Sequence, residues 1–277
     1  MIKLIVIGTS SGGEGPPLGG ACSSYLVCGP SSNILLDCGP AALSRLPQHI
    51  APESIDAILV SHMHQDHILD LMPYTRTLFR AGALEPKGPR VKLFTPPGGI
   101  AALRAFAGVF AKPPEVLKGA SKETKKLSTA DLFSNLFDLA EYDPDESLNF
   151  GDLVVSFVPM RHVGSAYGMR ITDHTNVLSY TGDTGNCPGL DILADGADIL
   201  LSEASLREFD PDTSMRHGHL TAAEAGQAAS RGGVTRLLLT HLSRSDKNWR
   251  AEMVRLASME FSGPIEAVSP DDTYILK

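Results

Sequence analysis

Ser61-His62-Met63-His64-Gln65-Asp66-His67 follows directly on the apolar run Ala57-Ile58-Leu59-Val60. Three of the chain's nine histidines and one aspartate fall within these seven residues. An apolar run of this length, free of glycine and proline, reads as a buried strand, and the polar cluster then sits at its end. In extended backbone, residues two apart project the same way, so His62 and His64 can serve one cation. Asp66 and His67, where the chain turns, can reach a second cation about 3.5–4 Å away. The competing reading is a solvated, histidine-rich turn. Against it stand the strand before the cluster and later residues able to complete the coordination.

Those later residues have the same local setting. His162 closes Pro159-Met160-Arg161-His162, Asp183 lies in Thr181-Gly182-Asp183-Thr184, and His241 lies in Leu239-Thr240-His241-Leu242. Each follows an apolar strand. A loose internal echo supports the pattern. Asn33–Gly39 followed by Asp56–His62 is matched by Val177–Asp183 followed by Asp198–Glu203. The echo predicts two similar halves of an α/β fold, with functional groups at strand ends gathered on one rim. Helices are expected over Leu69–Ala81, with Pro73 in the first turn, over Ile100–Phe110, and over Asn248–Met259. Another should start after Thr221, where Thr221 and Glu224 form a capping box, and stop at Gly232-Gly233.

Composition bounds the function. The chain has 277 residues, 43% hydrophobic and 20% charged, enough for a sizeable core. Its 24 basic and 32 acidic residues give a net charge of −8. That balance disfavours broad nucleic-acid binding, which needs a basic surface. Apolar runs are strand-length, far short of a membrane span, and the N-terminal Met1–Gly8 run reads as a strand rather than a leader. Cys22, Cys28, Cys38 and Cys187 form no Cys-x-x-Cys pair, which suits a reduced, cytoplasmic protein. The segment Lys112–Lys126 reads as a surface excursion. Gly8–Gly20 lacks the spacing of a phosphate-binding loop and reads as the rim of a site. No Gly-x-Ser-x-Gly elbow is present.

The order His62-x-His64-x-Asp66-His67, then His162, Asp183 and His241, resembles the metallo-β-lactamase-fold hydrolases. The second half is similar to the branch holding ribonuclease Z and related cyclic-nucleotide phosphodiesterases. It does so through Tyr167–Ile171, Tyr180–Thr184, Ser202-Glu203-Ala204-Ser205, His219–Gly226 and Leu239–Leu242. The resemblance implies a four-layer αββα sandwich, two mixed β-sheets flanked by helices, in a single domain over residues 1–277. It implies two Zn2+ ions, with Mn2+ or Fe2+ also suited to such N/O donors. One would be held by His62, His64 and His162, the other by Asp66, His67 and His241. Asp183 and a hydroxide would bridge them.

The same resemblance places His219 beside the scissile phosphate, with Glu203 orienting its ring, so the catalytic set is Asp66, His219 and Glu203. A satisfied carboxylate at a strand end is the plain alternative for Glu203. Asp37 is either a carboxylate supporting the metal ligands or a turn former, and Tyr167 either lines the pocket or packs. His49, His174, His217 and Arg216 read as surface residues. Ribonuclease Z relatives also imply a homodimer. Three departures bear on substrate: residues 68–161 lack a glycine-proline-rich arm for transfer RNA, the Arg-Asn pair after Gly8-Thr9 is missing, and the chain is acidic. The expected substrate is therefore a small phosphodiester such as a cyclic nucleotide. Transfer-RNA 3′ processing and a lactonase or arylsulfatase-like activity are the alternatives.

Overall fold

The computed structural model describes residues 1–12 and 20–277. Most of the glycine-rich stretch within Gly8–Gly20, expected at the rim of the site, lies outside the described residues. Seven strands form the first sheet: β1 (Ile2–Gly8), β2 (Ser24–Cys28), β3 (Asn33–Leu36), β4 (Ala57–Leu59), β5 (Lys92–Thr95), β6 (Asp138–Glu141) and, at its far edge, β14 (Thr273–Leu276). The second holds β7 (Leu148–Phe150), β8 (Leu153–Pro159), β9 (Tyr167–Thr172), β10 (Val177–Tyr180), β11 (Ile199–Glu203), β12 (Arg236–Thr240) and β13 (Ile265–Ala267). Helices α1 (Ala42–Arg45), α2 (Gln65–Ile68), α3 (Leu71–Arg80), α4 (Gly99–Phe110), α5 (Lys122–Lys126) and α6 (Leu132–Leu136) belong to the first half. Helices α7 (Pro188–Ala194), α8 (Ala222–Arg231) and α9 (Lys247–Ser258) belong to the second.

The sheets repeat one plan. In the first, β14–β1–β2–β3 pair antiparallel and β3–β4–β5–β6 parallel. In the second, β7–β8–β9–β10 pair antiparallel and β10–β11–β12–β13 parallel. The echo seen in the sequence is the pair β3–β4 matched by β10–β11. This mixed pairing, with helices outside both sheets, is the expected four-layer αββα sandwich.

Alternation along the strands sorts side chains between layers. Leu4 and Val6 face the interior between the sheets, where they meet Phe157, Met169, Ile171, Tyr180 and Leu201. Their neighbours Ile5 and Ile7 face outward onto Leu71, Tyr74 and Leu78 of α3 and Leu103 of α4. On the other side Leu200, Leu237 and Leu239 pack on Leu193 of α7, Ala225 and Ala229 of α8, and Met253 and Ala257 of α9. Alanines on α8 let that helix sit close. A Cβ on Gly226 would fall 2.5 Å from the carbonyl oxygen of Ala257, so glycine there sets the α8–α9 approach.

Helix positions follow the sequence closely, and small shifts have local causes. The helix expected over Leu69–Ala81 is α3, Leu71–Arg80, with Pro73 in its first turn, and a separate short helix before it, α2, carries Asp66 and His67. The capping box at Thr221 is formed in both directions, and α8 closes at Gly232. Among the described residues, no helix is long and apolar enough to cross a membrane.

Candidate metal centre

The seven candidate ligands converge at one edge of the sandwich, where β4, β8, β10 and β12 end. His62 and His64 leave β4, and Asp66 and His67 occupy α2. His162 follows β8, Asp183 follows β10, and His241 follows β12. They fall into two groups that share Asp183. His62, His64, His162 and Asp183 form one, and Asp66, His67, His241 and Asp183 the other, with donor atoms within 4.8 Å of one another in each. In the first, Nε2 of His162 lies 2.9 Å from Nδ1 of His64, and Nε2 of His62 lies 3.7 Å from Oδ2 of Asp183. In the second, Nε2 of His241 lies 3.1 Å from Oδ2 of Asp66 and 3.3 Å from Oδ2 of Asp183, while Nε2 of His67 lies 3.3 Å from Oδ1 of Asp183.

Partners behind the rings aim these nitrogens inward. His67 donates from Nδ1 to Asp37 at 2.7 Å, and His162 from Nδ1 to the Gly218 carbonyl at 3.0 Å. Ser61 Oγ donates to Asp37 and lies 3.1 Å from Nδ1 of His62; Ser205 Oγ donates to Glu203 and lies 3.0 Å from Nδ1 of His241. With both hydroxyl protons committed, the oxygens accept from the rings, which leaves Nε2 of His62 and His241 as lone-pair donors. Asp37 is more than a turn former. Fully buried, it also takes the Ser61 N–H at 2.7 Å and the Tyr180 hydroxyl at 2.7 Å. Asp37 and His241 hold left-handed backbone (φ 58° and 52°), an uncommon conformation tolerated where it aims a functional side chain.

Three buried atoms test whether a cation fits. Nε2 of His62, Nε2 of His67 and Oδ1 of Asp183 have no hydrogen-bond partner among the described residues. Leaving such atoms dry and unpaired costs about 1–3 kcal/mol each, which a coordinated cation would offset. Imidazole and carboxylate donors in this proportion suit zinc and its first-row neighbours. The residues therefore fit a metal.

Charge reinforces the arrangement. Burial, with the neighbouring His67, holds His62 well below the usual histidine range, and burial lowers His64 and His162 as well. Neutral rings are what coordination requires. His67 runs the other way: burial opposes its charge, but Asp183 and Asp37 prevail and raise it, so a cation bound there would displace a proton from its ring. Burial likewise opposes ionisation of Asp183, yet His241 and His67 keep its carboxylate well below the usual range.

His219 stands beside this centre, its ring 5.0 Å from that of His162 and 5.9 Å from that of His241. Its Nδ1–H donates to Glu203 Oε1 at 2.9 Å. Burial disfavours its charge, but the Glu203 carboxylate outweighs that and lifts it to about 9. Glu203 is fully buried and also accepts the N–H groups of Thr184, at 2.7 Å, and of Ser205 and Leu220, both at 3.3 Å.

A pocket of about 900 Å³ opens on the centre, lined by His64, Asp66, Asp183, His219 and His241 on one side. Tyr167 is absent from its lining and packs edge-on against Tyr142. His174 is exposed, and Arg216 and His217 point to solvent beside Asp212. His49 lies at the surface as expected, partly covered and bonded to Asp271 at 2.9 Å. Its partner lies more than two hundred residues away, beyond any local pattern. Sequence reasoning missed the roles of Ser205 and of the Gly218 carbonyl. It also missed the apolar side of the pocket, formed in part by Ala102 and Phe106 of α4.

Comparison with known proteins agrees with this architecture. Residues 32–242 match the family model described as the beta-lactamase superfamily domain. An uncharacterized protein of Mycobacterium leprae is 32% identical, over 99% of this chain and 88% of that one. The probable metallo-hydrolase YhfI of Bacillus subtilis is 32% identical over 87% of both chains. Its crystal structure superposes with a TM-score of 0.80, covering 99% of this chain and 98% of that one at 25% identity. A ribonuclease Z of Myxococcus xanthus is 26% identical over 96% of this chain and 95% of its own.

Proposed function

The chain belongs to the β-lactamase superfamily and is a metal-dependent hydrolase, and on that premise we propose that it is a phosphodiesterase acting on a small phosphodiester such as a cyclic nucleotide. In this reading two zinc ions are held, one by His62, His64 and His162 and the other by Asp66, His67 and His241, with Asp183 shared. When bound, such a pair supplies Lewis acidity and a water activated near neutral pH. Residues 1–277 act as one hydrolase domain, because both sheets contribute to the cluster. Four cysteines without a disulfide among them support a reducing, cytoplasmic setting.

The observation that carries the reading is His219, held by buried Glu203 at the mouth of the ligand cluster. A phosphodiester with a sugar alkoxide leaving group needs a proton at the departing oxygen. His219, bonded through Nδ1 to Glu203, presents Nε2 to the pocket as that donor. Asp66 takes the Gly12 N–H at 2.8 Å, and this bond steadies its carboxylate beside His241. Lactone opening also expels an alkoxide and would draw on the same proton, so the ester-hydrolase reading ranks below on the similarity to ribonuclease Z.

Transfer-RNA 3′ processing is favoured by the near full-length similarity to ribonuclease Z. It is opposed by a pocket with no lysine or arginine among its described lining residues. The test is a panel of cyclic mononucleotides, bis-p-nitrophenyl phosphate, precursor transfer RNA, an aryl sulfate and a lactone, run with and without chelator. Chelator-sensitive turnover of the small diesters is expected. Turnover of the lactone or sulfate alone would overturn the assignment.

A further inference from the structure

Part of the pocket's lining is apolar, and its construction is specific. Gly98, with φ 86°, and Gly99, whose Cβ would fall 2.5 Å from Thr95 and 3.1 Å from the sulfur of Met63, start α4 hard against the end of β5. Three and seven residues beyond Gly99, on the same helix face, come Ala102 and Phe106. Leu103 and Ala107 on the adjoining face are buried in the core. Ala102 and Phe106 line the pocket together with Met63 and Leu69. Leu69 sits at the break between α2 and α3, still 37% exposed. Apolar surface facing open space in this way gains when a ligand covers it.

Charge narrows the ligand further. No lysine or arginine lines the described pocket, and residues 13–19 contain none. Asp66 and Asp183 add negative charge to the polar side. One anionic phosphate can be neutralised at the ligand cluster and by His219. A second would meet no further cationic side chain among the described lining residues, only apolar groups, carboxylates and neutral groups such as Gln65 and Thr213, which offset the desolvation of an added charge less well.

We infer that the substrate is a phosphodiester with a single negative charge and one flat, apolar substituent, aromatic or purine, and that Phe106 with Leu69 forms the seat for that substituent. This rests on the phosphodiesterase reading above and adds a specificity-determining wall to it.

The zinc-loaded protein tests it with two diesters sharing one leaving group, methyl 4-nitrophenyl phosphate and 1-naphthyl 4-nitrophenyl phosphate. The naphthyl ester should be preferred in kcat/KM by about tenfold or more, mostly through KM. Phe106→Ala should cut that preference severalfold. Leu69→Ala, at a partly exposed position that tolerates truncation, should cut it in the same direction. Equal kcat/KM for the two esters, or variants that lower both in proportion, would overturn the inference and leave the phosphodiesterase reading intact. Absence of turnover with every diester would overturn both.

Discussion

Glu203→Gln preserves the side chain's shape and removes the charge that keeps His219 protonated. The carboxylate lies 2.9 Å from the ring and raises the histidine to about 9. Without it, the ring should titrate toward its ordinary value of about 6.5. At pH 8 the protonated fraction then drops from about 0.9 to about 0.03, roughly thirtyfold. NMR titration of the ring in chelated protein reads this directly. In the zinc-loaded enzyme the consequence depends on the leaving group. Cyclic AMP, which expels an alkoxide, should slow at least about tenfold at pH 8, while bis-p-nitrophenyl phosphate, which expels a stable phenolate, should slow far less. The substitution also leaves buried donors facing an amide in place of a carboxylate oxygen, at a stability cost of about 1–3 kcal/mol visible in thermal melts. A variant in which His219 titrates as in the parent, or in which both diesters slow equally, would refute the proton-donor argument.

Other expectations follow from the same geometry. Asp183→Asn, which alters the carboxylate shared by both ligand groups, should leave less than one metal per chain by mass spectrometry; full retention would count against a shared ligand. Asp37→Ala strips the acceptor from His67, Ser61 and Tyr180; it should cost about 3 kcal/mol or more in denaturant unfolding and weaken metal binding 10–100-fold, on the order seen for such supporting carboxylates. In chelated protein His219 has a raised folded-state pKa. Its contribution to stability is therefore complete below about pH 6.5 and lost as pH rises through about 9, at most about 3 kcal/mol. The stability difference between the parent and His219→Asn should shrink across that window, and a pH-independent difference would contradict it. Gly226→Ala, with its Cβ 2.5 Å from the Ala257 carbonyl oxygen, should lower stability by about 1–3 kcal/mol and the melting temperature with it.

Much of the centre is legible in the chain because its ligands sit at strand ends, where an apolar run followed by a polar residue is a local signal. His62, Asp183 and His241 all carry that signal, and the repeated pairing of β3–β4 and β10–β11 shows as an echo. The capping box at Thr221 is equally local. What stays hidden depends on crossovers. The Gly218 carbonyl behind His162, and Ser205 behind His241, become neighbours only when distant strands align. The π-helical turn Pro211–His217, which brings Thr213 to the pocket, has no periodic pattern to betray it. Phe106 reads as an ordinary helix residue; only the close start of α4 at Gly99 turns it toward the site. The left-handed backbone of Asp37 and His241 likewise runs against residue preference and follows from tertiary constraint.

The most direct test of the central claim is a zinc titration of chelated protein, following hydrolysis of bis-p-nitrophenyl phosphate at each addition. Activity should be negligible at the start and reach its plateau at about two equivalents per chain. Full activity in the chelated protein, or a folded protein that binds no zinc, would contradict the account.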